Sequence, residues 1–309
     1  MRILFMGSGD IALPSFQWLM NSPDHTLVGV ITQPDKPVGR HQVLTPPAIK
    51  ILAQTADLPV FQPVKVRSTE SLAALSSLQA DLILVMAYGQ LLPPALLDLP
   101  KIACLNLHAS LLPRHRGASP IQAAILAGDI TSGITLMHMD VGLDTGDSVL
   151  AHQIALAPDE TGGTLHDKIA HLGPGVLAEA LPLFAAGTAP RQPQNAALAT
   201  HCGKLTRESG QIDWTQSTAH LERLIRAYQP WPGTHSTLPS GKKIKIHRAH
   251  PVAGQGRPGE ILSATPGALH IATRDGALCL DEIQPEGRPR MSAADFSRGH
   301  SLSVSDFMA

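Results

Sequence analysis

The sequence predicts an α/β fold, a doubly wound and mostly parallel sheet, followed by a small β-barrel domain. Three observations predict it. Short apolar runs alternate with helix-like stretches from Arg2 to Phe184, which is the pattern of strand–helix–strand units. The run Asp81–Ala87 is almost continuously apolar, as a strand covered on both faces must be. Beyond about residue 205 short strands follow one another at close spacing, separated by Gly and Pro turns, and that pattern suggests a barrel. A chain of 309 residues, 43% of them hydrophobic, is too long for one typical core and suits two domains.

Arg2–Met6 is an apolar strand running into Gly7-Ser8-Gly9, and Pro14 suits the first turn of a helix that reaches about Met20. Gly7-Ser8-Gly9-Asp10-Ile11-Ala12 fits the dinucleotide fingerprint G-x-G-x-x-[G/A]. The second strand, Thr26–Thr32, leads into Gln33-Pro34-Asp35-Lys36-Pro37 instead of ending in an acidic ribose ligand, so a tight strand-to-helix turn competes with that reading. Residues 34–47, with Pro34, Pro37, Pro46, Pro47, Gly39, Arg40 and His41, read as an irregular loop of functional length. Ile49–Ala56 and Thr69–Leu78 read as helices, and Val60-Phe61 as a brief strand. Asp81–Ala87 is a central strand that ends at Tyr88-Gly89-Gln90 and the Pro93-Pro94 pair.

Ile102–Leu107 is the next strand, and a helix from Ser119 or Pro120 to about Ala127 is closed by Gly128. Ile134–Met139 is a further strand, with Ser148–Ile154 as an antiparallel return. A long helix from about Thr164 to Phe184 closes the domain, and Gly173-Pro174-Gly175 is expected to bend it. Residues 185–205, rich in Ala, Pro, Gly and Thr, show no periodicity. The expected division is therefore an N-terminal domain over 1–188, a linker over 189–205 and a C-terminal domain over 206–309. In the last of these, a helix at about Ser217–Tyr228 precedes strands near Thr234–Leu238, Lys243–Arg248, Gly259–Ser263, Ala268–Thr273 and Ala277–Ile283.

Bulk properties remove several function classes. No apolar run reaches the length of roughly 18 residues that crosses a bilayer, and Arg-Ile-Leu-Phe-Met at the start is unlike a signal peptide, so a cytoplasmic protein without a membrane partner is expected. The three cysteines, Cys104, Cys202 and Cys279, form no Cys-x-x-Cys pair and read as packing residues. A net charge of −1 argues against nucleic-acid binding by overall charge. Yet residues 1–200 carry 11 Lys+Arg against 15 Asp+Glu, and residues 201–309 carry 13 against 10, so the second part is mildly basic.

The polar residues of Cys104–Gly117 gather where a strand stops, the edge at which open parallel sheets bind ligands. Asn106 and His108 are two apart and share one face of that strand. An amide and an imidazole placed so can both donate to one carbonyl oxygen, as an acyl-transfer oxyanion site requires. Two strand-end residues satisfying nearby backbone would look the same. Asp140, Asp144 and Asp147 lie in a Gly-rich loop after another strand end, and a carboxylate close to His108 would orient its ring. Surface turn carboxylates are the plain alternative. His108, His115, His138, Asp140 and Asp144 are metal-ligand types, but no His-Glu-x-x-His motif stands among them and no metal is expected. A Gly-x-Ser-x-Gly elbow and a P-loop are both missing from the sequence.

Asn106-Leu107-His108, Ser110-Leu111-Leu112-Pro113-Arg114-His115-Arg116-Gly117 and Met139-Asp140-Val141-Gly142-Leu143-Asp144-Thr145-Gly146, in this order and separation, resemble the signature of the folate-dependent formyltransferases. The resemblance implies the formyltransferase fold. It also implies a catalytic trio of Asn106, His108 and Asp144, with Ser110, Leu111, Leu112 and Pro113 lining the site of the co-substrate 10-formyltetrahydrofolate. Over essentially the whole chain the similarity is to those members that formylate methionyl-initiator tRNA. Thr32–Pro37 with Gly39-Arg40 resembles their acceptor-stem loop. Lys204-Leu205-Thr206, Ile212-Asp213-Trp214 and Ile225–Gly233 resemble the start of their C-terminal domain, an oligonucleotide-binding-like barrel.

One departure is that His41-Gln42-Val43-Leu44 follows Arg40 where many relatives have lysines. The grip on tRNA is then expected to lean on Arg40 together with Lys242, Lys243, Lys245 and Arg248, although those four would also suit a solvated strand edge. The chain is expected to act as a monomer. A formyltransferase for a small amine, a formyl-folate hydrolase and an RNA-binding module with an inactive catalytic domain are the alternatives.

Overall fold

In the computed structural model, which describes residues 1–39, 41–265, 268–300 and 302–309, the chain forms two compact units. The first comprises Met1–Pro120, Thr131–Ala155 and His166–Cys202, and the second Ile121–Ile130, Leu156–Leu165 and Gly203–Ala309.

The first unit is built on β1 (Arg2–Gly7), whose residues Ile3 to Met6 are all fully buried. Apolar side chains on both pleats leave no face for water, so the strand needs a neighbour on each edge and cover on each face. α1 (Leu13–Asn21) follows, with Pro14 in its first turn and Phe16 and Leu19 against the core. β2 (Thr26–Ile31) pairs parallel with β1. β3 (Lys36–Val38) and β4 (Val43–Thr45) form an exposed hairpin where the sequence predicts an irregular loop. Its base is fastened by Asp35, which accepts from Lys50 Nζ at 2.8 Å and from Gln62 Nε2 at 2.7 Å. α2 (Ala48–Gln54), β5 (Val60–Phe61) and α3 (Thr69–Ser76) continue the alternation, and the Ser68 side chain caps α3 by accepting from Ser71 N.

β6 (Leu82–Met86) is buried at every position and lies between β1 and β7 (Ala103–His108). The short helix α4 (Pro94–Leu97) begins at the second residue of the Pro93-Pro94 pair. After β8 (Arg116–Gly117) and α5 (Pro120–Ala127), β9 (Thr131–His138) runs antiparallel to β7, and β10 (Ser148–Ala155) returns antiparallel to β9 as expected. The sheet order is β10-β9-β7-β6-β1-β2-β5. The chain steps from β1 to β2 and β5 on one side, then crosses to β6 and β7 on the other. The C-terminal ends of β1, β6 and β7 therefore meet at the topological switch, where open α/β sheets bind ligands. α6 (Gly162–Ala185) continues through Pro174 as one helix.

Most of the expected linker is bonded to the first unit. Arg191 Nε meets Asp147 at 3.1 Å, Gln192 and Ser148 exchange two backbone hydrogen bonds of 2.9 Å, and β11 (His201–Cys202) pairs parallel with β8. The segment through Cys202 is thus part of the first unit. Its bonds are polar and aimed at loop backbone, so they leave no hydropathy period to read.

In the second unit, α7 (Thr218–Ala227) is capped by Ser217, which accepts from His220 N, and buries Leu221, Leu224, Ile225 and Ala227. Arg223 Nε donates to Leu126 O at 3.0 Å and Arg226 Nη1 to Glu160 O at 2.8 Å, which ties segments 121–130 and 156–165 to this helix. β12 (Thr234–Thr237), β13 (Lys243–Val252), β14 (Ile261–Thr265), β15 (Ala268–Ala272) and β16 (Ala277–Pro285) form an antiparallel sheet in the order β12-β13-β16-β15-β14, and β17 (Met291–Ser292) pairs with β16. α8 (Ala293–Gly299) buries Phe296. Residues 305–309 join the two end strands. Ile261 N donates to Asp306 O at 2.8 Å and Ala309 N to Thr237 O at 2.9 Å, so the sheet closes on itself through this tail.

Candidate active site

β7 carries Asn106 and His108 on one face, and the antiparallel partner β9 sets Met137 opposite Asn106 and Thr135 opposite His108. Thr135 folds the following loop back. Its Oγ1 donates to Ser110 O at 2.7 Å and accepts from Leu112 N at 3.1 Å, and the peptide between Leu112 and Pro113 is cis. Ser110 is fully buried, and its hydroxyl donates to Arg114 O at 2.6 Å. It therefore shapes the loop and presents no surface to a folate, whereas Leu111, Leu112 and Pro113 stay half-exposed.

His108 is buried. Its Nε2 lies 3.0 Å from His115 O, and because a carbonyl only accepts, Nε2 is the donor. Its Nδ1 lies 3.6 Å from Asp144 Oδ1, an ion-pair distance once the ring is protonated. The other oxygen, Asp144 Oδ2, accepts from Gly117 N at 2.8 Å. Gly117 has φ of +123°, and a Cβ there would stand 2.0 Å from Cys202 O, so only glycine delivers that N–H. The Asn106 amide has no hydrogen-bonding partner among the described residues and is half-buried at the strand end. Asn106 thus shares a strand face with His108, and His108 meets Asp144. The His108 donor expected for an oxyanion is occupied by the His115 carbonyl, which leaves the Asn106 amide as the open donor.

The three carboxylates of the Gly-rich loop separate by role. Asp140 accepts from Gly142 N at 3.0 Å and from Thr145 Oγ1 at 2.8 Å and so closes its own turn. Asp147 pairs with Arg191. Asp144, held at φ of +55°, faces His108. Gly146 permits the loop to turn there, since a Cβ would come within 1.9 Å of His138 O.

Of the residues with no assigned part, Arg116 is buried and donates from Nε and Nη2 to Gln194 Oε1 at 3.0 and 2.7 Å, so it anchors the loop. Gln194 Nε2 donates to Asp144 O at 2.9 Å and to Gly146 O at 2.7 Å. Thr200 Oγ1 accepts from His115 N at 2.8 Å. Sequence reasoning missed Gln194 and Thr200, because no motif and no period marks a polar residue in an unpatterned segment.

The fingerprint at Gly7–Ala12 is a turn tied to the residues after β2: Ser8 Oγ accepts from Gln33 N at 2.9 Å and lies 3.2 Å from Thr32 Oγ1. Burial pushes the Cys104 thiol up to about 12, and burial is also the first cause of the upward shifts at Cys202 and Cys279. These are packing cysteines. His250, Cys279 and Asp281 do bring ligand-type atoms within 4.8 Å of one another, but the Asp281 carboxylate is already engaged by His250 Nδ1 at 3.0 Å and by Arg248 Nε at 3.6 Å.

Lys242, Lys243 and Lys245 are exposed, and Lys243 and Lys245 alternate with the fully buried Ile244 and nearly buried Ile246. β13 lies between β12 and β16, so these lysines are not guards of a sheet edge. Burial, followed by Lys243 and Lys245, holds the neighbouring His235 imidazole below its usual range. Arg248 is exposed but shares Asp281 with His250. Arg40, expected to meet tRNA, lies outside the described residues. No helix among the described residues is long and apolar enough to cross a membrane.

The sequence matches the family described as formyl transferase over residues 1–181, and that described as formyl transferase, C-terminal domain, over residues 204–301. The chain is 47% identical over 306 residues to a methionyl-tRNA formyltransferase of Akkermansia muciniphila, with 97% of each covered. It is 43% identical over 304 residues to one of Geotalea daltonii, covering 98% of this chain and 97% of the relative. In fold it resembles HypX from Aquifex aeolicus in complex with tetrahydrofolic acid, with 20% identity and a TM-score of 0.62 over 96% of this chain and 46% of that one. The chain thus spans just under half of HypX, and the likeness there is one of fold. From the two matches, which cover residues 1–181 and 204–301, it follows that the chain belongs to the formyl transferase family.

Proposed function

We propose that this chain transfers the formyl group of 10-formyltetrahydrofolate to the α-amine of methionine esterified to initiator tRNA, giving N-formylmethionyl-tRNA. The observation that carries the reading is the Asn106 amide, without a protein partner among the described residues, on the strand face it shares with the His108–Asp144 pair at 3.6 Å. An oxyanion needs a donor held where charge develops, and the amine needs a route for its proton. The full-length similarity to proteins named methionyl-tRNA formyltransferase supports this acceptor over an amino sugar or water.

The amine attacks the formyl carbon, and the formyl oxygen becomes an oxyanion that Asn106 Nδ2–H receives. The Asp144 carboxylate, set in place by His108 and the Gly117 N–H, takes the proton lost by the attacking nitrogen and passes it to N10 of the folate. The C–N10 bond then breaks, the carbonyl re-forms on the new amide, and tetrahydrofolate leaves. His108 adds a second donor to the oxyanion only by exchanging the His115 carbonyl for it. Leu111, Leu112 and Pro113 line the folate beside this centre, with Ser110 holding their loop.

The first unit, which carries the site, serves as the catalytic part and residues 206–309 as the tRNA-binding domain, with Lys242, Lys243, Lys245 and Arg248 against the RNA backbone and Arg40 as a further contact. The same reading has the chain act as a cytoplasmic monomer. A formylation assay with 10-formyltetrahydrofolate and charged initiator and elongator tRNAs tests it. Transfer to methionyl-initiator tRNA is expected, and transfer to neither tRNA would overturn the reading.

A further inference from the structure

We propose that the segment Gln192–Cys202 is a strap that positions the His108–Asp144 pair, with Gln194 and Thr200 as its positioning residues. This inference rests on the formyl-transfer reading above for its kinetic consequence, but not for its geometry. Each end of the pair is set by one of these two side chains.

At the Asp144 end, Gln194 uses its whole amide. Both N–H groups go to carbonyls of the catalytic loop, Asp144 O at 2.9 Å and Gly146 O at 2.7 Å, and Oε1 takes two N–H groups from Arg116 at 3.0 and 2.7 Å. Arg116 precedes Gly117, whose N–H holds the Asp144 carboxylate at 2.8 Å. One amide thus fixes the backbone of Asp144 directly and its carboxylate through the Arg116-Gly117 peptide. Asp144 sits at φ of +55°, a conformation that non-glycine residues keep only when their surroundings over-determine it.

At the His108 end the tie runs through His115, also held at positive φ, +57°. Its carbonyl receives His108 Nε2–H at 3.0 Å, its N–H goes to Thr200 Oγ1 at 2.8 Å, and the next residue, Arg116, donates N–H to Thr200 O at 2.8 Å. The strap is anchored beyond these points by the Gln192–Ser148 backbone pair and by Ala118 N donating to Cys202 O at 3.1 Å.

Packing does not account for the segment. Residues 195–198 are exposed and Leu198 is 62% exposed, so the strap buries little apolar surface. Apart from the Gln192 pair with Ser148 of β10, the polar bonds named above go to two loops, the ones that carry His115 and Asp144. Misplacement of a reacting group by about 1 Å costs on the order of 100-fold in rate.

The test compares the full chain with Gln194→Met, Thr200→Val and Thr200→Ser in formylation kinetics, thermal unfolding, and NMR of the histidine-labelled protein without substrate. Gln194→Met and Thr200→Val are expected to lower kcat by about 10- to 100-fold at unchanged KM for both substrates. Thr200→Ser, which keeps the hydroxyl, is expected to recover most of the rate. The His108 ring-nitrogen signals should move in Thr200→Val and stay near the wild-type positions in Thr200→Ser. Wild-type kcat in both Gln194→Met and Thr200→Val, or loss of kcat, KM and thermal midpoint together with no recovery in Thr200→Ser, would overturn the strap. A wild-type chain that forms no formyl product while the His108 signals still follow the Thr200 hydroxyl would sink the transfer reading and leave the strap in place.

Discussion

Asn106 and His108 show how far a single residue could be read. Their spacing of two puts both on one face of a strand wherever that strand lies, so the pairing was legible. Which loop carboxylate joined them was not, because Asp140, Asp144 and Asp147 share one Gly-rich turn, and only the resemblance singled out Asp144. The structure separates them by partner: a turn closure, an ion pair with Arg191, and His108. With Asn106 as the open donor, Asn106→Ala is expected to lower kcat by about 100- to 1000-fold with folding intact, and a formylation assay at saturating substrates reads it. His138 invites a test of stability. Its buried Nε2 has no partner among the described residues, and burial, followed by Arg191, lowers its imidazole below the ordinary 6.5, with Asp147 opposing. The unfolded ring takes up a proton as pH falls through that ordinary value while the folded ring stays neutral. The stability due to the neutral ring is therefore complete above that range and is lost as pH drops toward the folded value. His138→Phe should flatten the dependence of unfolding free energy on pH between about pH 7 and 5, as followed by urea titration.

At the level of elements, legibility followed burial. β1 and β6 were readable because their neighbours on both edges and cover on both faces demand unbroken apolar runs. Leu84, fully buried in β6, is the kind of residue that such a run contributes. Leu84→Ala is expected to cost about 2–5 kcal/mol, read as a lower denaturant midpoint at unchanged slope. The β3–β4 hairpin was unreadable for the opposite reason. All six of its strand residues are exposed, so no face alternates between core and water and the strands leave no period. The β8–β11 pair was hidden likewise, since two short strands joined across 85 residues of chain meet through backbone hydrogen bonds and the Cys202 thiol on Arg116 O, none of which leaves a hydropathy period. Gly117→Ala would set a methyl group against Cys202 O, where 2.0 Å is available, and push these strands apart. The Asp144 carboxylate would lose its N–H with them, so kcat is expected to fall well before the thermal midpoint does.

The molecule as a whole is nearly neutral, and its charge is unevenly shared, −4 over residues 1–200 and +3 over residues 201–309. Binding of a polyanion must then come from a local array. β13 supplies one: Lys243 and Lys245 face outward from inside the sheet, while the alternate residues Ile244 and Ile246 are locked in the core. A strand so held keeps the Cα positions of Lys243 and Lys245 on its outer face. Arg248 differs, since Asp281 already holds its guanidinium at 3.6 Å. Each lysine that neutralises a phosphate releases counterions and contributes about one unit to the slope of log affinity against log salt. The double variant Lys243→Ala/Lys245→Ala is accordingly expected to reduce the magnitude of that slope for methionyl-initiator tRNA by about two units, with the loss appearing in KM for the tRNA. Arg248→Ala should change it less than either lysine alone. Filter binding or fluorescence anisotropy at several salt concentrations measures all three variants. An unchanged slope in the double variant would make these lysines a solvated face, and would leave the RNA contact to the hairpin at Lys36–Thr45 and the charges around it.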